Sequence, residues 1–131
     1  MLAGSLAAAC QVRVVDFLKD RGLDVNAAGP LLVQADPARH RVVLVNTITA
    51  SISLIDTAAG QVRNIATGTR VPQFLKGEAL AVNAGNGHIY VIADHAVVAV
   101  FPETGKVFSI PTGDQSESLA VDEGSATLFL A

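Results

Sequence analysis

Residues 51–68 read SISLIDTAAGQVRNIATG and residues 97–113 read VVAVFPETGKVFSIPTG, and the two stretches follow one pattern. Each has an apolar run, a turn that ends in glycine, a second apolar run and a closing Thr-Gly. The matched residues all lie 45 positions apart: Gly60 with Gly105, Val62 with Val107, Ile65 with Ile110 and Gly68 with Gly113. We infer that the chain contains copies of one structural unit.

A second block repeats beside the first. It reads DPARHRVVLVN from Asp36, NAGNGHIYVIA from Asn83 and DEGSATLFLA from Asp122, so that successive copies begin 47 and 39 positions apart. Each copy opens with Asp or Asn, passes through a small or polar turn and ends in an apolar strand. The recurrent Asp or Asn indicates a structural role, because such side chains bind backbone N–H groups in turns.

A period of ~40–45 residues with four short strands in each copy is typical of β-propeller blades. The sequence therefore predicts an all-β fold, a partial β-propeller of two four-stranded antiparallel blades and the start of a third. A plain antiparallel meander or a β-sandwich is the alternative. The predicted blades lie at about 31–68, 78–113 and 117–131, with strands at 31–35, 41–45, 51–55, 62–66, 78–82, 88–93, 96–101, 106–110, 117–121 and 127–131.

The order of an Asp- or Asn-turn, an apolar strand, a V-x-x-I-D-T-x-x-G type of hairpin and a closing I-x-x-G resembles the YVTN propeller repeat over roughly residues 31–131. The second copy departs from this pattern, because Phe101-Pro102 stands where the first copy has Asp56-Thr57. That change removes a carboxylate expected to bind the N–H groups of its own hairpin.

Burial is predicted from the strand patterns. The continuous apolar runs at 42–45 and 89–92 indicate strands covered on both faces. In 51–55, Ser51 and Ser53 alternate with apolar residues, which predicts a half-buried strand.

The first ten residues, MLAGSLAAAC, resemble the end of a bacterial lipoprotein signal, with small residues just before Cys10 as the candidate lipid attachment site. The basic start of a signal peptide is missing, and an Ala-rich helix start with a buried thiol is the alternative. Residues 11–30 are predicted as an N-terminal strand or linker, and 31–131 as the incomplete propeller. The prediction for location is the periplasm or cell envelope, with a cytoplasmic location still open.

Composition excludes several classes of function. The net charge of −3 and the scattered nine Lys and Arg argue against nucleic acid as a partner. The single cysteine rules out an internal disulfide and a multi-cysteine metal site. The sequence contains no run of ~20 apolar residues, so no transmembrane helix is predicted. No motif for haem, nucleotide or nucleophilic catalysis occurs, so neither catalytic nor metal residues are assigned and no cofactor is expected.

The remaining candidate residues are three histidines and one loop. His40 and His88 are predicted as solvated turn residues, and Asp94 and His95 as turn neighbours whose side chains point apart. The connection Thr69–Glu78 is six residues longer than its counterpart after Gly113, which indicates either a binding loop or a tolerated surface insertion.

The predicted function is a binding or protein-interaction scaffold, exported to the bacterial cell envelope, with a protein or small-molecule ligand. The alternative is a fragment of a propeller enzyme, lactonase-like or cofactor-dependent, with its active site in other blades. Because closure hides the faces of propeller blades, a truncated gene or a ring of several copies is expected, and exposed apolar surface with it.

Overall fold

The computed structural model describes residues 29–72, 75 and 77–131 of the chain. These residues form ten β-strands and two short 3₁₀ turns, at Pro37–Arg39 and Gly77–Ala79. The strands are β1 (Pro30–Asp36), β2 (Arg41–Asn46), β3 (Ser51–Asp56), β4 (Val62–Ala66), β5 (Leu80–Val82), β6 (Ile89–Ala93), β7 (Ala96–Phe101), β8 (Lys106–Pro111), β9 (Leu119–Asp122) and β10 (Thr127–Leu130). None of the described segments is a helix long and apolar enough to span a bilayer.

The strands pair in chain order into three antiparallel units. Blade one contains β1 to β4, blade two contains β5 to β8, and β9 with β10 forms a two-stranded hairpin, hereafter the third unit. Registers in the two blades are equivalent: Ser51 pairs with Ala66 and Ala96 pairs with Pro111, both at the start of the third strand. The repeat read from the sequence is therefore a repeat of structure.

The units are arranged around their first strands. β1 contacts β5, and β5 contacts β9, so the inner strands of successive units are neighbours. One apolar core joins all three units and includes Val43 and Ile52 of blade one, Val91 and Val98 of blade two and Leu119 of the third unit. This arrangement confirms the predicted partial propeller of antiparallel blades, and the sandwich alternative is wrong.

Two strand starts differ from their predictions. β5 was expected from residue 78, but Gly77–Ala79 forms a 3₁₀ turn and the strand begins at Leu80. β9 was expected from residue 117 but begins at Leu119; just before it Ser118 and Ala131 exchange backbone hydrogen bonds, and the Glu117 N–H donates to the same Ala131 carbonyl. At β5 a 3₁₀ turn takes the place of the first strand residues, and at β9 two successive N–H groups converge on one carbonyl of the opposite segment, which interrupts the regular ladder; apolar patterning reveals neither.

The predicted half-burial of β3 is wrong, because Ser51 and Ser53 are buried along with their apolar neighbours. Ser53 Oγ donates to Asn64 Oδ1 at 2.6 Å and accepts from Asn46 Nδ2 at 2.8 Å. Hydrogen bonds thus allow a serine face to be covered as fully as an apolar one. The run at 89–92 lies in β6, where only Tyr90 is half-buried, so the predicted covering on both faces is confirmed there; in the run at 42–45 of β2, buried residues alternate with the half-buried Val42 and Leu44.

The long connection between the blades is not a loose surface insertion. Val71 is fully buried and Leu75 is 4% exposed, and both belong to the common core. The Arg70 carbonyl accepts a hydrogen bond from the N–H of Asp94 in blade two. Gln73, Phe74 and Lys76 lie outside the described residues.

Equivalent positions of the two blades differ in how well they are covered. Ile65 in β4 is 7% exposed, whereas its counterpart Ile110 in β8 is 45% exposed and the neighbouring Phe108 is 47% exposed. Phe129 and Leu130 of β10 are exposed as well. The prediction of exposed large apolar side chains is confirmed for these residues. We call Phe108 and Ile110 the β8 face.

Candidate functional site

The recurrent Asp and Asn side chains are used to hold turns. Asn83 Oδ1 accepts from the N–H groups of Gly85 at 2.9 Å and Asn86 at 3.3 Å. Asp122 accepts from the N–H of Gly124 at 3.1 Å and from the Ser125 hydroxyl at 2.6 Å. The predicted structural role is confirmed for these two residues.

Asp36 is the exception, and the prediction that it binds turn N–H groups is wrong. Its side chain is fully buried and accepts from Arg41 Nε at 2.8 Å and from Arg39 Nη1 at 3.4 Å. A buried carboxylate requires a charged or multiply bonded partner, and here two guanidinium groups provide it. The first turn of blade one is therefore held by ion pairs.

Both arginines also reach across to blade two. Arg39 donates to the carbonyls of Ala84 at 3.0 Å and Gly85 at 3.2 Å, and Arg41 donates to the carbonyl of Gly87 at 2.8 Å. These carbonyls belong to the turn between β5 and β6, the counterpart of the turn from which the arginines come. The Ala84 N–H donates in turn to Glu123 Oε1 of the third unit at 3.0 Å.

A third arginine crosses the same junction from the other hairpin of blade one. Arg63 Nη1 donates to the carbonyl of Pro102, in the turn between β7 and β8. Two glycines of blade two make room for these side chains. A Cβ at Gly87 would collide with the Arg39 guanidinium, and a Cβ at Gly105 would lie 3.2 Å from Arg63 Nη2.

Arg39, Arg41 and Arg63 together line the junction between the two blades, which we call the arginine cleft. It contains two adjoining cavities of about 240 and 440 Å³, and all three arginines line both. Beyond the arginines, the first is lined by Leu54, Asp56, Gln61 and Val62, and the second by Asn86, Pro102 and Glu103.

The two carboxylates at the rim of the cleft are held in their charged form. Backbone N–H groups of Ala59 and Ala58 donate to Asp56 at 2.7 and 2.8 Å and lower the pKa of Asp56. This also confirms the predicted role of Asp56 in its own hairpin. The backbone N–H of Glu103 itself lowers the pKa of Glu103 most, followed by the His88 ring, whose Nε2 lies 3.0 Å from Oε1.

The histidines are placed differently from one another. His40 is an exposed turn residue, as predicted. The prediction for His88 is wrong, because its half-buried ring stacks on Phe101 at a centroid distance of 4.0 Å and contacts Glu103. The prediction that Asp94 and His95 point apart is also wrong, since Oδ1 and Nε2 lie 3.8 Å apart. Both of these side chains are more than half exposed, so the pair is solvated.

The arginines were missed in the sequence because they form no run. The signal that would have found them is the repeat itself: Arg39, Arg41 and Arg63 stand where blade two has Asn86, His88 and Phe108. Cys10, the candidate lipid attachment site, lies outside the described residues. Among the described residues no group of three or more His, Cys, Asp or Glu side chains is arranged to hold a metal ion.

No known protein family matches the sequence, and no curated protein resembles it. Nine chains of known structure match the fold. One of them, hydrazine synthase from Kuenenia stuttgartiensis, aligns over 93% of this chain with a TM-score of 0.66 and 18% identity. The alignment covers 32% of the hydrazine synthase chain, so this chain spans about a third of its length. At this identity the likeness shows the fold alone.

Proposed function

We propose that this chain is an exported β-propeller repeat protein, similar to the YVTN family, that acts as a binding or protein-interaction scaffold at the bacterial cell envelope. The observation that carries the proposal is the arginine cleft, where side chains absent from the repeat pattern converge at the junction of two blades.

Residues that recur at the same position of each repeat differ in role from residues found in one repeat only. Asn83 and Asp122 recur and satisfy turn N–H groups, and Thr67 and Thr112 recur and each donate to the carbonyl two residues further on. Such residues build the scaffold. The three arginines have no counterparts in blade two, so the repeat pattern does not prescribe them, although Arg39 and Arg41 also neutralise the buried Asp36. Residues that break a repeat and meet in a cleft are typical of a binding site on a repeat protein.

The envelope part of the proposal depends on residues 1–10. Their resemblance to a lipoprotein signal makes Cys10 the point of lipid attachment, and export would place the propeller outside the cytoplasmic membrane. An anchored scaffold of this kind would present the cleft to soluble ligands or to neighbouring envelope proteins.

The binding part is tested by native mass spectrometry of the full-length protein purified from its own host. We expect a non-covalent adduct on the wild type and on Arg70→Gln, and loss of that adduct on Arg63→Gln. Arg70 is a suitable control because it is an exposed arginine outside the cleft, so both variants remove one positive charge. An adduct absent from all three proteins, or equally present in all three, would contradict the proposal. Conversion of the adduct to a product would favour the enzyme alternative.

The envelope part is tested by metabolic labelling with a palmitate analogue. Cells that express the gene with its native upstream sequence should incorporate the label into the wild type and not into Cys10→Ser. An unlabelled wild type that fractionates with cytoplasmic proteins would contradict export through Cys10.

A further inference from the structure

We propose that the arginine cleft binds the phosphate group of a small soluble molecule. This inference rests on the proposed function, because it names the ligand class of the same cleft.

The first argument is the balance of charge at the junction. Of the three guanidinium groups, Arg39 and Arg41 share the carboxylate of Asp36, and within the described residues no carboxylate lies within ion-pair distance of Arg63. The rim carboxylates have other partners: Asp56 accepts from two backbone N–H groups, and Glu103 contacts His88. The junction thus holds three guanidinium groups and three carboxylates, but in the described part of the chain Arg63 is not ion-paired, so an anion would bind through arginine N–H groups that no carboxylate occupies.

The second argument is the supply of hydrogen-bond donors. A guanidinium has five N–H donors in a planar fork. In the described part of the chain, Nη1 of Arg41 has no hydrogen-bond partner, and Arg63 donates only through Nη1 to Pro102. Nε of Arg39 is likewise without a partner there. Each of the three arginines therefore has guanidinium N–H donors that are not bonded to any described residue.

The third argument is the match of shape and chemistry. The larger cavity, of about 440 Å³, has the size of a small-molecule site. Arginine is the preferred residue for bidentate recognition of phosphate and carboxylate. A phosphate group is favoured here because it has more acceptor oxygens than a carboxylate and can accept from three guanidinium groups together. The carbonyl contacts of Arg39 and Arg41 fix their side chains in advance, which lowers the entropic cost of binding.

The experiment is a titration of the full-length protein with inorganic phosphate against sodium chloride at matched ionic strength, followed by calorimetry and by Tm. We expect saturable binding of phosphate with a rise in Tm, and no such response to chloride. Arg63→Gln should weaken phosphate binding about tenfold or more, since a charge-assisted hydrogen bond is lost. Arg70→Gln should bind within about twofold of the wild type. Arg63→Lys keeps the charge without the planar fork and should fall between them.

Vesicles containing phosphatidic acid distinguish a lipid source of the phosphate from a soluble one. Binding to vesicles without any response to soluble phosphate would overturn the small-molecule source. Equal responses to phosphate and chloride, or equal affinities in Arg63→Gln and Arg70→Gln, would overturn the ligand class. If native mass spectrometry still shows an adduct that depends on Arg63 while phosphate does not bind, the ligand class is wrong and the proposed function stands.

Discussion

Left-handed backbone positions recur at equivalent residues of the repeat. His40, Gly87 and Ala126 occupy one turn position in the three units, with φ of 50°, 77° and 52°. Ala50 and His95 share another such position, with φ of 47° and 52°. A side chain makes this conformation unfavourable by roughly 1–2 kcal/mol, so the turn is retained by the surrounding hydrogen bonds rather than by residue preference. At Gly87 the absence of a Cβ has a second use, because Arg39 occupies the space.

Gly87→Ala is expected to lower the free energy of unfolding by ~1–3 kcal/mol, since the added Cβ is strained at positive φ and collides with Arg39. Urea denaturation measures the change. Gly77→Ala is the control, because a Cβ at Gly77 would meet open space and the change should stay below about 1 kcal/mol. Equal losses in the two variants would show that Arg39 does not lie over the Gly87 turn.

Three exposed carboxylates make stability depend on pH. The pKa values of Asp56, Glu103 and Asp122 are lowered in the folded chain by hydrogen bonds to the charged form. The unfolded chain therefore binds more protons than the folded chain as pH falls below about 5, towards the ordinary pKa values of Glu and Asp, and the free energy of unfolding falls with it. Above that pH the contribution of these groups is complete. Urea denaturation between neutral pH and pH 3 should show this loss.

Asp56→Asn isolates one of these groups. The amide oxygen can still accept from Ala58 and Ala59 but does not titrate, so the decrease in stability below about pH 4 should be smaller than in the wild type. Identical profiles in the wild type and Asp56→Asn would refute the role of Asp56.

Strand order and strand position follow from local patterning. Apolar runs separated by glycine-bearing turns predicted ten strands, and most bounds lie within one residue of the observed ones. The degree to which each strand is buried by its neighbours was harder to predict. Ser53 has the polarity of a solvent-facing residue, and only its contacts with Asn46 and Asn64 show why it is buried. The arginine cleft was not predicted, because its members come from two hairpins of one blade and meet only when the second blade packs against it.

Ile65 and Ile110 are a matched pair for measuring what an adjacent unit contributes to a blade. They occupy equivalent positions in β4 and β8, but Ile65 is 7% exposed and Ile110 is 45% exposed. Ile65→Ala should lower the free energy of unfolding by ~2–4 kcal/mol, because it leaves a cavity in the core. Ile110→Ala should cost about 1 kcal/mol or less, mainly through the lower β-propensity of alanine. Equal costs for the two substitutions would mean that Ile110 is covered in solution.

At the scale of the molecule, one apolar core joins the three units, because a single sheet cannot bury both of its own faces. Buried residues of β1, β5 and β9 link the three units near their inner strands, and the contacts from Arg39 to Ala84 and from Ala84 to Glu123 link them again through the turn between the first two strands of each unit. Covering is weaker on the β8 face, where Phe108 stands at the position that Arg63 occupies in blade one. The same interface position is thus polar and bridged at the first junction, and apolar and exposed at the second.

The β8 face should make the 131-residue chain bind apolar dyes and associate with itself. Phe108 and Ile110 are two residues apart on one strand and face the same side of the sheet, so their exposed surfaces adjoin. Phe108→Ser/Ile110→Ser should lower the fluorescence of bound anilinonaphthalene sulfonate and shift sedimentation towards the monomer. Val33→Ser/Ile48→Ser is the control, because these two side chains are at least as exposed and lie on different elements. Since association depends on contiguous apolar area rather than on total exposure, the control should behave as the wild type does. A wild-type chain that sediments as a monomer without dye binding, or a control that responds as strongly as Phe108→Ser/Ile110→Ser, would refute self-association through the β8 face.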